Sequence, residues 1–169
     1  MTTDRLPSDA KLLAECDVDT FRGPGPGGQK RNKTDSAVRL RHKPTGLMVI
    51  AGESRSQAEN RTRALKRLRE ALALRIRRHV YPDRTPDAIR ACIDKSGRLG
   101  AGRRDVRYLP CAGAMLDLLA AHEGSVGDIA KRLGLTTGNV SKFLTGDEDV
   151  MTEANRIRAT FGLKPLRDN

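Results

Sequence analysis

Aromatic side chains are scarce in this sequence. Its 169 residues include two tyrosines, three phenylalanines and no tryptophan, so aromatics make up 3% of the chain. The hydrophobic fraction of 37% is still enough for a globular fold. We therefore expect a core built mainly from aliphatic side chains.

Cysteines and long apolar runs are also few. The three cysteines, Cys16, Cys92 and Cys111, are odd in number and widely spaced, which fits neither a disulfide framework nor a Cys-x-x-Cys metal site. No apolar run approaches the about 20 residues that span a bilayer, and residues 1–10 lack the hydrophobic stretch of a signal peptide. We expect a protein of the reducing cytoplasm, without a membrane partner.

The sequence has no set of residues typical of a self-sufficient hydrolase. It shows no Ser-His-Asp arrangement, no paired carboxylates and no metal-ligating cluster. The three histidines are isolated, and we expect packing or surface roles for them: His42, His79 and His122. The acidic run at 147–149 is expected to cap a helix. Neither a metal nor another cofactor is therefore expected.

Positive charge is what the sequence has in excess. The formal net charge is +11 at pH 7, which favours a polyanionic partner, with nucleic acid first among the candidates. The excess lies in residues 1–110, which hold 25 basic and 13 acidic side chains, whereas residues 111–169 hold 7 and 8. Nucleic-acid binding is therefore expected from the first part of the chain.

The periodicity of the first part predicts an α+β fold. A short helix is expected from Ser8 to about Glu15, followed by a strand over 16–22. Two further strands, 37–42 and 46–51, are separated by a short turn and should form an antiparallel hairpin. From 56 to about 79, apolar residues recur at helical spacing among arginines. We predict a long basic helix that covers a small antiparallel sheet.

The second part predicts an all-α domain. Residues 81–110 are rich in proline and glycine, so we predict a connector with one short helix at 86–94. The predicted boundary lies near Pro110. It divides the chain into a domain of residues 1–80, a connector of residues 81–110 and a helical domain of residues 111–169. Helices are predicted at about 114–122, 126–133, 138–144 and 149–161.

Two of these helices resemble a helix-turn-helix. Ala130 allows close helix packing, Gly134 supplies a left-handed turn position, and Val140 with Phe143 seats the second helix. Because residues 111–169 are not basic, duplex DNA binding is disfavoured. Docking to RNA or to a ribosomal protein, and a structural or dimerising role, are the other two hypotheses.

The run Gly23-Pro-Gly-Pro-Gly-Gly-Gln29 predicts an exposed loop. Its prolines lack the N–H that a strand ladder needs, and its glycines adopt backbone angles closed to other residues. Gly27 and Gly28 have no Cβ, so the backbone beside Gln29 can approach a crowded substrate closely. Taken alone, the run also fits a flexible Gly-Pro linker.

The residues around this loop form a specific pattern. The loop is followed at fixed offsets by the hairpin and by an Arg-Ser-Gln helix start. The matching positions are Gly25, Gly27-Gly28-Gln29, Asn32-Lys33-Thr34, Asp35-Ser36-Ala37-Val38-Arg39, His42, Pro44-Thr45-Gly46, Val49, Glu53, Arg55-Ser56-Gln57, Asn60 and Ala64-Leu65. The pattern resembles the catalytic domain of class-I peptide chain release factors and of related codon-independent ribosome-rescue hydrolases.

The resemblance implies a catalytic set of Gly27, Gly28 and Gln29. It implies that the loop enters the peptidyl transferase centre of the large ribosomal subunit and cuts peptidyl-tRNA. The Gln29 backbone N–H would stabilise the developing oxyanion while its side chain confines the attacking water. Removing one donor of this kind typically costs roughly 10²–10³ in rate. The ribosome would supply the rest of the site, so the domain alone is expected to be inactive.

Two groups of cations are expected to contact ribosomal or transfer RNA phosphates. Lys30, Arg31 and Lys33 adjoin the loop. The other group lies on the long helix and consists of Arg61, Arg63, Lys66 and Arg67. For each group, a charged face that is merely solvated is the alternative. Arg55 and Gln57 are expected to cap and begin the helix at least as readily as to touch substrate, so they stay outside the catalytic set.

The sequence also departs from the family pattern. Lys30-Arg31 stands where His-Val is usual, and an extra Gly-Pro precedes the loop. A noncatalytic ribosome- or RNA-binding factor is therefore the alternative function. No residues resemble a codon-recognition domain, so stop-codon reading is not expected. Residues 163–169 do not resemble the Lys/Arg-rich tail that rescue hydrolases of this family often use, so that sensing mechanism is expected to be missing or replaced.

Overall fold

The computed structural model describes residues 7–22, 35–81 and 84–167. In this part of the chain it contains one three-stranded antiparallel sheet and seven helices. The predicted α+β fold class is confirmed. The Gly-Gly-Gln loop lies outside the described residues. The chain divides into two compact units, 1–72 and 73–169, and each is described by itself.

The first unit is built around the sheet. Helix α1 (Asp9–Ala14) precedes strand β1 (Cys16–Phe21). Strands β2 (Ala37–His42) and β3 (Met48–Ala51) follow, and the sheet order is β1-β2-β3. Helix α2 (Gln57–Arg75) is long and basic, as predicted. The hairpin and the covering helix expected from the sequence are both present.

The core of the first unit is aliphatic. Its buried residues come from α1, from all three strands and from α2, and they are Leu12, Cys16, Val38, Leu40, Ala51, Ala64, Leu65 and Leu68. None of these side chains is aromatic, which agrees with the composition. Because α2 contributes its apolar face to this cluster, burial of that face fixes the rotation of the helix about its axis.

A buried histidine joins the hairpin turn to the end of α1. His42 is 5% exposed. Its Nε2 lies 3.2 Å from Glu15 Oε2, and its Nδ1 lies 2.8 Å from Thr45 Oγ1. Both ring nitrogens therefore have polar partners within the fold, and His42 has a structural role.

An arginine of α2 covers an edge of the sheet. Strand β3 is an edge strand, and the Ile50 carbonyl accepts a hydrogen bond from the Arg67 guanidinium. A second nitrogen of Arg67 lies 2.6 Å from Glu53 Oε1. This guanidinium is the largest cause of a pKa below the ordinary value for the Glu53 carboxyl. The contact uses charge to protect backbone polar groups that an edge strand otherwise exposes.

Glu53→Gln should lower the free energy of unfolding near neutral pH. The loss should stay below about 1 kcal/mol, because both partners are nearly half exposed. Since the folded pKa of Glu53 lies below its ordinary value of 4.5, the contribution is fully present above that value and is lost as pH falls through the folded pKa. Urea unfolding of both proteins at about pH 7 and about pH 3 measures this. A stability difference of equal size at both pH values would contradict the assignment.

The second unit is helical. It contains α3 (Asp87–Arg90), α4 (Tyr108–Ala121), α5 (Val126–Leu133), α6 (Thr137–Thr145) and α7 (Glu148–Thr160). The helix predicted over 126–133 is confirmed to the residue, and the next two agree within one residue at each end. None of the helices in the described ranges has both the length and the apolarity needed to cross a bilayer.

The segment that was predicted to be a connector contributes to the core of this unit. Ile89, Cys92 and Leu99 are buried in the same cluster as residues of α4 to α7. Helix α4 begins six residues before the predicted start and contains Pro110 in its first turn. Proline is tolerated there because the N–H that it lacks has no partner in the first turn. That residues 1–80 and 111–169 form separate domains stays a prediction.

The helix-turn-helix geometry is present. Gly134 ends α5 in the left-handed conformation, with φ 66° and ψ 28°. Ala130 and Val140 are buried where the two helices pack, and Phe143 is 8% exposed. Thr136 Oγ1 begins α6 by accepting a hydrogen bond from the Asn139 N–H at 3.1 Å. Each of the positions singled out in the sequence has the role that was predicted for it.

The acidic turn before α7 is a helix cap, as predicted. The Asp147 carboxylate accepts hydrogen bonds from the Asp149 and Val150 N–H groups at 3.1 and 3.2 Å. Arg103 Nη1 lies 3.2 Å from the other oxygen of the same carboxylate. The residue therefore satisfies backbone donors at the start of α7 and also ties a preceding loop to it.

Gly134→Ala should lower the free energy of unfolding by about 1 kcal/mol, because a side chain disfavours the left-handed conformation. Gly134→Asn should cost less, since Asn tolerates these angles. Gly127→Ala is the matched control. An added Cβ meets nothing within 4 Å at either glycine, and only Gly134 has a positive φ. Thermal unfolding should therefore show that Gly127→Ala is as stable as the parent protein or slightly more stable. An equal loss of stability in Gly134→Ala and Gly127→Ala would refute the argument.

Candidate functional site

The predicted site falls into a part that the structure describes and a part that it does not. Six of the predicted residues lie outside the described residues: Gly27, Gly28, Gln29, Lys30, Arg31 and Lys33. The structure describes both ends of the loop that carries them, and it describes the cations of α2. The geometry of the site is therefore built from the base of the loop.

Two adjacent strands carry the ends of the loop. Strand β1 ends at Phe21 and β2 begins at Ala37, and these two residues pair directly in the antiparallel ladder. The chain therefore leaves the sheet and returns to it at the same end. We call Arg22, Asp35 and Ser36 the loop stem.

An ion pair joins the two sides of the loop stem. Arg22 Nε lies 3.3 Å from Asp35 Oδ1. The side chains are 68% and 54% exposed, and ion pairs with this exposure contribute about 0–1 kcal/mol. The ladder thus closes the base of the loop, and the ion pair adds a weak restraint across it.

Helix α2 holds the exit side of the stem with two amide side chains. Gln57 Nε2 donates a hydrogen bond to the Asp35 carbonyl at 3.2 Å. Asn60 Nδ2 donates to the Ser36 carbonyl at 2.7 Å. Two consecutive backbone carbonyls after the loop are therefore bonded to the first turn of one helix.

Asn60 is the buried centre of this arrangement. It is fully buried, and its Nδ2 also donates to the Ser54 carbonyl at 2.8 Å. Its Oδ1 accepts from the Ser54 N–H at 3.0 Å. Both amide donors and the acceptor are used, as a buried polar group requires. The side chain joins the stem, the turn before α2 and α2 itself.

The sequence reasoning missed these two roles. Gln57 begins α2, as expected, but the residue that caps the helix is Ser56, whose Oγ accepts from the Glu59 N–H at 3.3 Å. One signal was available for Asn60, because it is a polar residue in register with the apolar face of α2. No comparable signal marked Gln57, which lies at an exposed helix start.

The predicted RNA-binding cations of α2 differ in how the fold uses them. Arg67 is bonded to Glu53 and to the Ile50 carbonyl. Arg63 lies 3.9 Å from Glu53 and 3.9 Å from Glu59. Arg61 and Lys66 are exposed and form no ion pair with the described residues. The last two therefore keep their charge for an external anion.

The second helix of the helix-turn-helix is partly covered. The Leu99 N–H donates to Asn139 Oδ1 at 2.9 Å, so the segment before α4 that contains Leu99 lies against the start of α6. A cavity of about 400 Å³ lies beside this contact and is lined by residues of the 99–103 loop, α6 and the start of α7. Lys142 is the sole cation of α6. These features disfavour duplex DNA reading by α6, which needs an accessible and basic helix.

Comparisons with known proteins identify the family of the chain. The RF-1 domain family model matches residues 12–101. The chain is 34% identical over 137 residues to peptide chain release factor 1 of Acetivibrio thermocellus, covering 81% of this chain and 33% of that protein. It is 38% identical over 145 residues to peptide chain release factor 1 of Burkholderia multivorans, covering 84% and 35%. The chain thus spans about a third of the length of the curated relatives that it matches.

The matched residues include the features from which the site was built. They contain the Gly-Gly-Gln run, the loop stem, all three strands and α2, and they amount to more than half of the chain. The sequence resemblance and the family match therefore agree. The chain belongs to the RF-1 domain family, the family of class-I peptide chain release factors.

Proposed function

We propose that this protein hydrolyses the ester between the nascent peptide and transfer RNA on the large ribosomal subunit, without reading a codon. The observation that carries the proposal is Gly27-Gly28-Gln29 within the residues that the RF-1 family model matches. Ribosomal RNA and peptidyl-tRNA are the partners that this reaction requires. The excess of basic residues in the first part of the chain fits both.

The proposed chemistry uses the loop as a source of a backbone donor. Water attacks the ester carbonyl, and negative charge develops on the carbonyl oxygen. The bond to the ribose oxygen of the transfer RNA then breaks, and that oxygen leaves as a hydroxyl with a proton from the water while the peptide leaves with a free carboxyl group. The Gln29 N–H donates to that oxygen, while the Gln29 side chain confines the water. Gly27 and Gly28 leave room for the backbone because they add no Cβ. An N–H aimed at a developing oxyanion typically supplies a large part of the rate enhancement.

The geometry of the loop stem supports this role. A catalytic donor must be held within about 0.5 Å of its productive position. The described residues provide a base of that kind: a paired strand end on each side, an ion pair across them and two amide bonds to the exit side. A flexible linker does not need such a base, so these contacts favour the catalytic interpretation.

The proposal of codon independence rests on the residues outside the family match. Beyond residue 101 the chain contains α4 to α7, including the helix-turn-helix. We therefore assign to the helical unit either docking on RNA or on a ribosomal protein, or a structural role.

A second function is favoured by one observation. Lys30-Arg31 follows Gln29 where the family usually has His-Val, which places two positive charges beside the proposed donor. A factor that binds the ribosome without cutting the ester is therefore the alternative. It predicts cosedimentation with ribosomes and no peptide release.

Gln29→Ala and Gly28→Ala should each reduce peptide release by roughly 10²–10³ or more. Gln29→Ala removes the side chain that is proposed to confine the water, and Gly28→Ala adds a Cβ beside the backbone N–H that is proposed to stabilise the oxyanion. Ribosome association should be unchanged. Release of a labelled peptide is measured on ribosomes with a truncated message and with a stop codon in the decoding site, with Glu59→Gln as a control variant. Undiminished release in either variant would defeat the mechanism. Release that requires the stop codon would defeat codon independence.

Replacing Arg61 and Lys66 together by Gln should weaken ribosome association. The slope of log association constant against log salt concentration should fall in magnitude by about 1 to 2, because each lost phosphate contact removes about 0.7–0.9. The matched control replaces Lys95 and Lys131, two exposed lysines of the helical unit. An equal change in both double variants would show that α2 is not the preferred contact.

A further inference from the structure

We propose that Gln57 is a positioning residue for the hydrolysis proposed above. Its side-chain amide holds the exit of the Gly-Gly-Gln loop and thereby the position of the catalytic donor. The inference rests on the proposed function, and it assigns to Gln57 a role other than capping the helix. Gln57 acts through the backbone of Asp35 and does not touch the substrate.

The first step of the argument is the location of the bond. Asp35 is the first described residue after the loop. Its carbonyl accepts the Gln57 amide at 3.2 Å, and its side chain pairs with Arg22 at 3.3 Å. The bond therefore acts on the peptide unit that directs the chain from the loop into β2.

The second step is the contrast with Asn60. The Asn60 side chain is fully buried and makes three hydrogen bonds, so its loss would leave buried polar groups unpaired and would destabilise the fold. The Gln57 side chain is exposed and makes one hydrogen bond with the described residues. Asn60 therefore fixes Ser36 as part of the fold. Gln57 restrains Asp35, and loss of this exposed bond should lower the stability of the fold only slightly.

The third step is the consequence for rate. Loss of the Gln57 bond frees the Asp35 peptide unit to rotate, while Ser36 stays fixed. A misplacement of about 1 Å at a reacting group costs up to about 10² in rate. A displacement that begins at the stem and is partly absorbed along the loop should cost less. We expect a loss of roughly 5- to 50-fold in the rate constant of peptide release, with binding unaffected.

The experiment uses the full chain and three substitutions at Gln57. Gln57→Leu removes the donor and keeps a similar size. Gln57→Glu also removes the donor and sets a carboxylate against the Asp35 carbonyl. Gln57→Lys restores a donor. Glu59→Gln, in the same helical turn, is the matched control, because Glu59 makes no contact with the stem among the described residues.

Single-turnover peptide release is measured over a range of protein concentrations, together with thermal unfolding. Gln57→Leu and Gln57→Glu should lower the rate constant at saturation, while the half-saturating concentration and the unfolding midpoint stay close to those of the parent protein. Gln57→Lys should recover most of the rate. Glu59→Gln should match the parent in all three quantities.

The outcomes separate this inference from the proposed function. If the parent releases peptide, Gln29→Ala does not and the Gln57 variants match the parent, the positioning role is overturned and the proposed function stands. The positioning role would also be overturned if the Gln57→Leu and Gln57→Glu variants bound more weakly or unfolded at a lower temperature while keeping the parent rate constant. Failure of Gln57→Lys to recover the rate of peptide release would overturn it as well. If the parent releases no peptide, both proposals fall.

Discussion

The buried amide of Asn60 is the interaction on which the site-bearing unit depends. It lies on the apolar face of α2, where an unpaired polar group would be costly. Its donors and acceptor are satisfied when Ser36 and Ser54 lie beside it. Burial of α2 therefore brings the start of β2 and the turn before the helix to one point. Gln57 precedes Asn60 by one helical turn, so the same packing places its amide at Asp35.

The orientation of α2 also decides which of its cations remain available. Burial of Leu68 on the sheet side turns Lys66 toward solvent and Arg67 toward the edge of β3. The count of basic side chains thus exceeds the number of cations available to an external anion, because some arginines are paired within the fold. Arg69 is a further case, since its guanidinium lies 2.7 Å from Asp9. The proposed phosphate contacts therefore belong to exposed positions such as Arg61 and Lys66, and the composition alone does not identify them.

Much of the fold followed from local patterns, and the site followed only in part. Strand β2 and helix α5 were predicted to the residue, because alternation and capping signals are local. The start of α4 was missed because the boundary between connector and helical domain was placed near Pro110, although the first turn of a helix tolerates proline. Gly27, Gly28 and Gln29 were assigned to the site because the surrounding sequence resembles a known family. The roles of Gln57 and Asn60 depend on partners 22 and 24 residues away, and no local pattern reports such contacts.

Residues 23–28 are all glycine or proline. The described contacts that bear on the loop lie at its two ends, where pairing of Phe21 with Ala37 in the ladder closes its base. What the ladder does not determine is the direction in which the chain leaves the sheet. The peptide units next to the strands set that direction. Side chains at the base of the loop contact these peptide units, and in this protein α2 supplies them.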